Sequence, residues 1–122
     1  MSELKELKND LGTKEFTEIL YNENSVKYNA PHEYIIKRAL SKNYVLATID
    51  FQCGPVKTHG VNGVFNEDLI NIVIDRLEHF QKSEFNCIEN EKAIEKLKES
   101  LIWLRKRTDD RKKRGVQGTY KI

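Results

Sequence analysis

Phe80, Asn90, Arg107 and Arg111 are the side chains of this chain best suited to chemistry on a ligand. A flat ring stacks on a π face, and a carboxamide can read the donor–acceptor pair on an adenine edge. A guanidinium makes charge-assisted, often bidentate bonds to phosphate oxygens. Each residue also has an ordinary reading. Phe80 could be plain core, Asn90 a helix-start or turn residue, and the two arginines solvated charges beside Asp109 and Asp110.

Two short loops of similar composition add a second candidate, Gly60-Val61-Asn62-Gly63 and Gly115-Val116-Gln117-Gly118. Glycines let backbone N–H groups approach a phosphate closely, most readily next to a helix N-terminus. Asn62, Gly63, Arg114, Gly115, Gly118 and Thr119 would form such an anion or cyclic-nucleotide site. The competing reading is a linker in the first case and a helix C-cap with a tail in the second.

The elements that must position these groups are two helices. Asn66 reads as an N-cap, with Glu67 and Asp68 in the first turn, and the helix runs to about Lys82. Ile70, Val73, Leu77 and Phe80 make its seam, with Leu69 and Ile72 widening the apolar face so that it packs on two sides. Ser83–Asn86 breaks the pattern. A second helix runs from about Ile88 to Arg114 and stops at Gly115. Its seam is Ile94, Leu97, Leu101 and Leu104, continuing in step to Thr108 and Arg111 and reaching back to Asn90. Two long helices joined by a short turn must lie antiparallel. Asn90 and Arg111 then stand ~30 Å apart at the helical rise. One small ligand touches both ends only if a second copy lies antiparallel to the first, which places sites in symmetric pairs.

The first half reads differently. A short charged helix is expected around Leu4–Leu11, stopped by Gly12. The segments Phe16–Tyr21, Ser25–Asn29, Tyr34–Arg38 and Tyr44–Gln52 are rich in aromatic and β-branched residues and read as strands. Asn22-Glu23-Asn24, Asn29-Ala30-Pro31 and Leu40–Asn43 separate them as turns, and Gly54-Pro55 with His59–Gly63 forms a hinge. The expected fold is α+β: a small N-terminal antiparallel sheet (residues 1–59) packed with a C-terminal helical hairpin (residues 60–122) in one compact unit.

Charge is segregated beneath a net charge of only +2. Residues 61–104 carry 5 basic against 9 acidic residues, whereas residues 105–122 carry 8 against 2. The basic end reads either as a helix terminus favoured by the macrodipole or as an anion site. It also allows a nucleic-acid-binding module, against which stand the shortness of the block and its interruption by Asp109-Asp110. No run approaches the roughly 18 apolar residues of a membrane span, and the start lacks a signal-like apolar stretch, so a cytoplasmic protein is expected. Cys53 and Cys87 lack metal spacing and are expected to be buried, reduced thiols. His32, His59 and His79 are isolated, and Gly54-Pro55-Val56-Lys57-Thr58 lacks the glycine spacing of a P-loop. No catalytic constellation, metal or cofactor is expected.

Several blocks occur in a specific order: Gly60–Leu69, Ile74-Asp75-Arg76-Leu77, Phe80-Gln81, Phe85-Asn86-Cys87, Glu89-Asn90, Trp103-Leu104, Arg107-Thr108, Arg114-Gly115-Val116 and Gly118-Thr119. This half of the chain resembles the helical-hairpin domain shared by phage anti-Thoeris and anti-CBASS sponge proteins. The β-rich half with Tyr28-Asn29-Ala30-Pro31-His32 looks like the anti-Thoeris branch. The resemblance implies a non-catalytic sponge acting in the cytoplasm of the infected bacterial host. It would bind a cyclic ADP-ribose-type signal (glycocyclic ADP-ribose, made from NAD by a TIR-domain enzyme) and leave it intact. It also implies ligand contacts at Phe80, Asn90, Arg107 and Arg111, and a homodimer, with hexamers and cyclic-trinucleotide pockets among some members. Gln117 and Tyr120 depart from the Gly-Val-Glu-Gly-Thr-His loop of many relatives, which weighs against the trinucleotide activity here.

If the 94-97-101-104 seam is core, Leu97→Ala or Leu101→Ala destabilises the protein by roughly 2–5 kcal/mol, measured by urea denaturation.

Overall fold

In the computed structural model, which describes residues 3–8 and 10–122, four strands precede two long helices. The strands are β1 (Leu4–Glu6), β2 (Thr17–Asn22), β3 (Glu33–Arg38) and β4 (Val45–Asp50), paired antiparallel in chain order as a meander. The helices are α1 (Val56–His59, a single turn), α2 (Asn66–Gln81) and α3 (Ile88–Lys113). The α+β class read from the sequence is the one found. The chain divides into two compact units, one of residues 1–54 with 59–64 and one of 55–58 with 65–122.

The sheet unit differs from expectation at two places. Leu4–Glu6 is an edge strand, pairing Leu4 with Asn22 and Glu6 with Leu20, where a helix over Leu4–Leu11 was expected. A helix this short cannot form without an apolar partner, whereas β2 offers unpaired backbone groups at its edge. Leu11 is 95% exposed, and Asn9 lies outside the described residues. The second difference is Ser25–Asn29, which is not a strand. Asn22 accepts from the Asn24 N–H at 2.9 Å and caps a 3₁₀ turn over Glu23–Ser25. Tyr28 and Asn29 then take positive φ within a turn closed by reciprocal Lys27–Ala30 bonds of 3.0 and 3.1 Å. The Ser25 hydroxyl donates to the Asn22 carbonyl and accepts from the backbone N–H groups of His32 and Glu33. Local polar bonds of this kind compete with strand pairing and here prevail.

The loop after the hinge is stitched to the end of β4. Asn62 accepts from the Cys53 N–H and donates to the Cys53 carbonyl, each at 2.8 Å. A Cβ on Gly63 would fall 2.5 Å from the Phe51 carbonyl carbon, so only glycine allows this approach.

In the helical unit, α2 and α3 run antiparallel. Glu78 pairs with Lys98 at 3.0 Å, and Glu67 and Asn71 share a cavity with Leu101, Ile102 and Thr108. The α3 seam is legible in the burial pattern. Asn90, Ile94, Leu97, Leu101, Leu104, Thr108 and Arg111 are half-buried, and the positions between them are exposed. The α2 seam is rotated from expectation. Ile74, only 5% exposed, is the inward residue in place of Val73, so the stripe is Glu67, Ile70, Ile74, Leu77 and Gln81. Val73 (45% exposed) lies uncovered beside this stripe, and Ile72 (63% exposed) lies uncovered on the opposite face of the helix. The N-cap of α2 is Phe65, with Asn66 the first helical residue. The Asp68 carboxylate accepts from the Phe65 N–H at 2.9 Å, and this back-bond fixes the boundary one residue earlier. α3 ends at Lys113, with Arg114 as its C-cap and Gly115 at φ +70°.

Ile74→Ala should cost more stability than Leu97→Ala, because only Ile74 loses a fully covered site. About 2–5 kcal/mol is expected for Ile74, and the half-buried leucines fall at the low end of that range, in paired urea unfolding curves.

Candidate functional site

The hairpin turn is built by residues outside the four singled out from the sequence. Gln81 ends the α2 seam, and its amide grips Cys87 from both sides: Nε2 donates to the Cys87 carbonyl and Oε1 accepts from the Cys87 N–H, each at 3.0 Å. Ser83 donates to the Phe80 carbonyl at 2.6 Å, and Asn86 donates to the Ser83 carbonyl at 2.8 Å. The signal for Gln81 was its place in step with the apolar stripe. An amide at such a position needs partners, and a nearby turn supplies them. Cys87 is the N-cap of α3, its sulfur accepting from the Asn90 N–H at 3.4 Å. It and Cys53 are free thiols but only half-buried, contrary to the expected burial, since a capping sulfur must sit at a helix end.

This turn carries Phe80 and Asn90. Phe80 is half-buried, with the Arg76 guanidinium 5.1 Å from its ring centroid. Asn90 is half-buried at the start of the α3 seam, and its side-chain amide bonds to nothing among the described residues. The other two predicted residues lie at the far end of α3 and differ sharply. Arg107 is exposed and unpaired among the described residues. Arg111 is half-buried, and its guanidinium donates to four main-chain oxygens, those of Val116, Thr119, Lys121 and Ile122. The structure therefore brings Phe80 and Asn90 to one end of the hairpin and Arg107 and Arg111 to the other.

Two shallow cavities line the groove between the helices. One of about 570 Å³ lies by Glu67, Asn71, Ile102 and Arg105, and one of about 390 Å³ by Glu78, Lys82 and Glu91. Neither contains any of the four predicted residues. By the helical period these cavities open on one flank of the hairpin. Leu69, Val73 and Phe80 of α2, with Ala93, Ser100 and Arg107 of α3, belong to the other flank.

The residues of the second candidate site fall in different units. Asn62 and Gly63 belong to the sheet unit, and Arg114, Gly115, Gly118 and Thr119 to the helical unit. Arg114 pairs with Asp110 at 3.1 Å and donates to the Ile122 main-chain oxygen at 2.8 Å. The Thr119 hydroxyl donates to the Val116 carbonyl, and Gly118 packs over the stem of Lys57. Of the histidines, His32 bonds the Ser25 carbonyl at 3.1 Å and His79 the Asp75 carbonyl at 2.8 Å. Among the described residues no group of three or more His, Cys, Asp or Glu could hold a metal ion, and no helix is long and apolar enough to cross a membrane.

Residues 43–109 match the family described as Acb2/Tad1, hairpin domain. That span holds β4, α2 and α3 as far as Asp109, with Phe80, Asn90 and Arg107, and stops short of Arg111. The chain is also 42% identical to Thoeris anti-defense 1 of Bacillus phage SBSphiJ7, over 96% of this chain and 99% of that protein. The match to the hairpin and the near full-length likeness together place this chain in the Acb2/Tad1 hairpin-domain family.

Proposed function

We propose that this chain is an anti-Thoeris sponge of phage origin. It captures a cyclic ADP-ribose-type signal (glycocyclic ADP-ribose) in the cytoplasm of the infected host and holds it chemically unaltered. The observation that carries this reading is that two polar side chains on the hairpin, Asn90 and Arg107, are not engaged within the chain. Asn90 keeps a half-buried amide without a partner next to the ring-bearing turn, and Arg107 keeps an unpaired guanidinium. The Asn90 amide still reaches solvent and makes no bond within the chain, so its donors and acceptor are available to a ligand. Phe80 offers a stacking face, Asn90 a reader for an adenine edge, and Arg107 with Arg111 a grip on a pyrophosphate. The likeness to a protein named Thoeris anti-defense 1 supports the anti-Thoeris role.

The ring and the arginines lie at opposite ends of one hairpin, so the site is completed by a second copy lying antiparallel to the first. The open flank supports this docking. It presents Val73 on α2 and the small residues Ala93 and Ser100 on α3, one heptad apart, which allow close helix approach. Arg107 follows Ser100 by another heptad, so docking there carries the cationic end of one copy along α2 of the other. Burial asks for the same thing, since Ile74 and Val116 are the only apolar residues of the described chain below a tenth exposed. A nucleic-acid-binding module is the weaker reading, because the basic block is short and interrupted by Asp109-Asp110.

Phe80→Ala and Asn90→Ala should abolish capture, and Arg107→Ala should weaken it by about 1.5–3 kcal/mol, read by calorimetry with glycocyclic ADP-ribose. Melting curves of the three variants should match the parent, and ligand released by heat should return uncleaved on chromatography. A cleaved product would end the sponge reading.

The solution mass should be at least twice the 14.3 kDa of one chain, and Ser100→Trp should lower it toward a single chain in light scattering while abolishing capture. A single-chain mass at saturating ligand would remove the shared site.

A further inference from the structure

Arg111 sits one helical turn beyond Arg107 on the same side of α3, yet its donors are already taken. Nη1 donates to the main-chain oxygens of Lys121 (2.7 Å) and Ile122 (3.1 Å), and Nη2 to those of Val116 (3.0 Å) and Thr119 (3.2 Å). The four hydrogens of the two terminal nitrogens thus meet four oxygens.

The segment that supplies these oxygens is fixed unequally along its length. Its near end is part of the helix terminus. The Gly115 N–H donates to the Lys112 carbonyl and the Val116 N–H to the Arg111 carbonyl, both at 3.0 Å, and Val116 is buried. The Lys57 N–H donates to the Gly118 carbonyl at 3.3 Å. Beyond Gly118, at φ +72°, the chain turns back, and the oxygens of Thr119, Lys121 and Ile122 rest on the side chains of Arg111 and Arg114. Tyr120, Lys121 and Ile122 are exposed. A glycine pivot therefore separates the helix-anchored half from one held by guanidinium groups and by the two bonds from Thr119 to the Val116 carbonyl.

We propose that residues 119–122 form a latch that occupies Arg111 until an anionic ligand displaces it. The inference rests on the ligand reading above in taking Arg111 as a phosphate-facing group. The carbonyl oxygens of Thr119 and Lys121 are neutral acceptors, and a phosphate is a stronger, charged one for the same fork. Exchange of three oxygens for phosphate oxygens requires rotation beyond Gly118 and release of the Thr119 N–H and hydroxyl from the Val116 carbonyl, while the bond from Arg111 to Val116 keeps the Arg111 side chain in place. Arg107 is free in the closed state, so it makes the first ionic contact and Arg111 joins as the latch opens. The apparent affinity for the anion is then lowered by the fraction of chains that are latched.

The test uses inorganic pyrophosphate as the probe, with the full chain and a chain ending at Gly118, which retains the Val116 and Gly118 bonds. The shortened chain should bind pyrophosphate at least about threefold more tightly by calorimetry, as removal of a competing closed state requires. Arg111→Gln in the shortened chain should abolish that gain. Pyrophosphate should also speed hydrogen exchange of residues 119–122 in the full chain. Equal affinity of the two chains, or tail exchange that is unchanged or slower at saturating pyrophosphate, would overturn the latch. Failure of glycocyclic ADP-ribose to bind either chain would count against the ligand assignment, and the pyrophosphate results would still judge the latch.

Discussion

The helical unit depends on one narrow seam between α2 and α3. On α3 the half-buried residues recur at alternating intervals of three and four from Asn90 to Arg111, and α2 answers with Glu67, Ile70, Ile74, Leu77 and Gln81. A seam of this width covers one stripe of each helix and leaves the flanks open. Ile74 is its one fully covered apolar residue, so the hairpin holds little core to spare. A chain with so little buried apolar surface is marginal alone, and burial against another copy is the ordinary remedy.

Both ends of the seam are polar, and each is tied off in its own way. At the turn, the Gln81 amide closes on the backbone of Cys87, and the Cys87 sulfur caps α3. At the other end, the Arg111 guanidinium gathers the main chain that follows the helix. In each case an inward polar side chain satisfies backbone groups that a helix end or turn leaves without partners. Asn90 and Arg107 instead keep their side-chain donors available, and both lie within the family match at residues 43–109.

The sheet unit shows the same principle with a different outcome. Polar side chains there close the backbone: Asn22 and Ser25 shape the turn after β2, and Asn62 pairs with Cys53 beside β4. Asn62 and Gly63, considered as anion binders from the sequence, thus have a structural role in joining the hinge loop to the sheet. The two glycine-containing loops look alike in sequence because both need tight turns, but they serve separate units.

Periodicity alone determined that two helices lie antiparallel, where each begins and ends to within a residue, and which positions of α3 face inward. It also determined three of the four strands, since aromatic and β-branched runs bounded by turn residues have few other ways to pack. The register of α2 was not legible. Leu69, Ile70, Ile72, Val73, Ile74 and Leu77 offer two overlapping apolar stripes, and only the docked position of α3 selects Ile74 over Val73. Nor was β1 legible, because a three-residue charged strand exists only where β2 presents an edge. The residue types at Phe80, Asn90, Arg107 and Arg111 declared their chemistry in the sequence. Which donors are free and which are already bonded was decided by tertiary structure, because hydrogen-bond partners are set by where the folded backbone brings its oxygens and not by spacing along the chain.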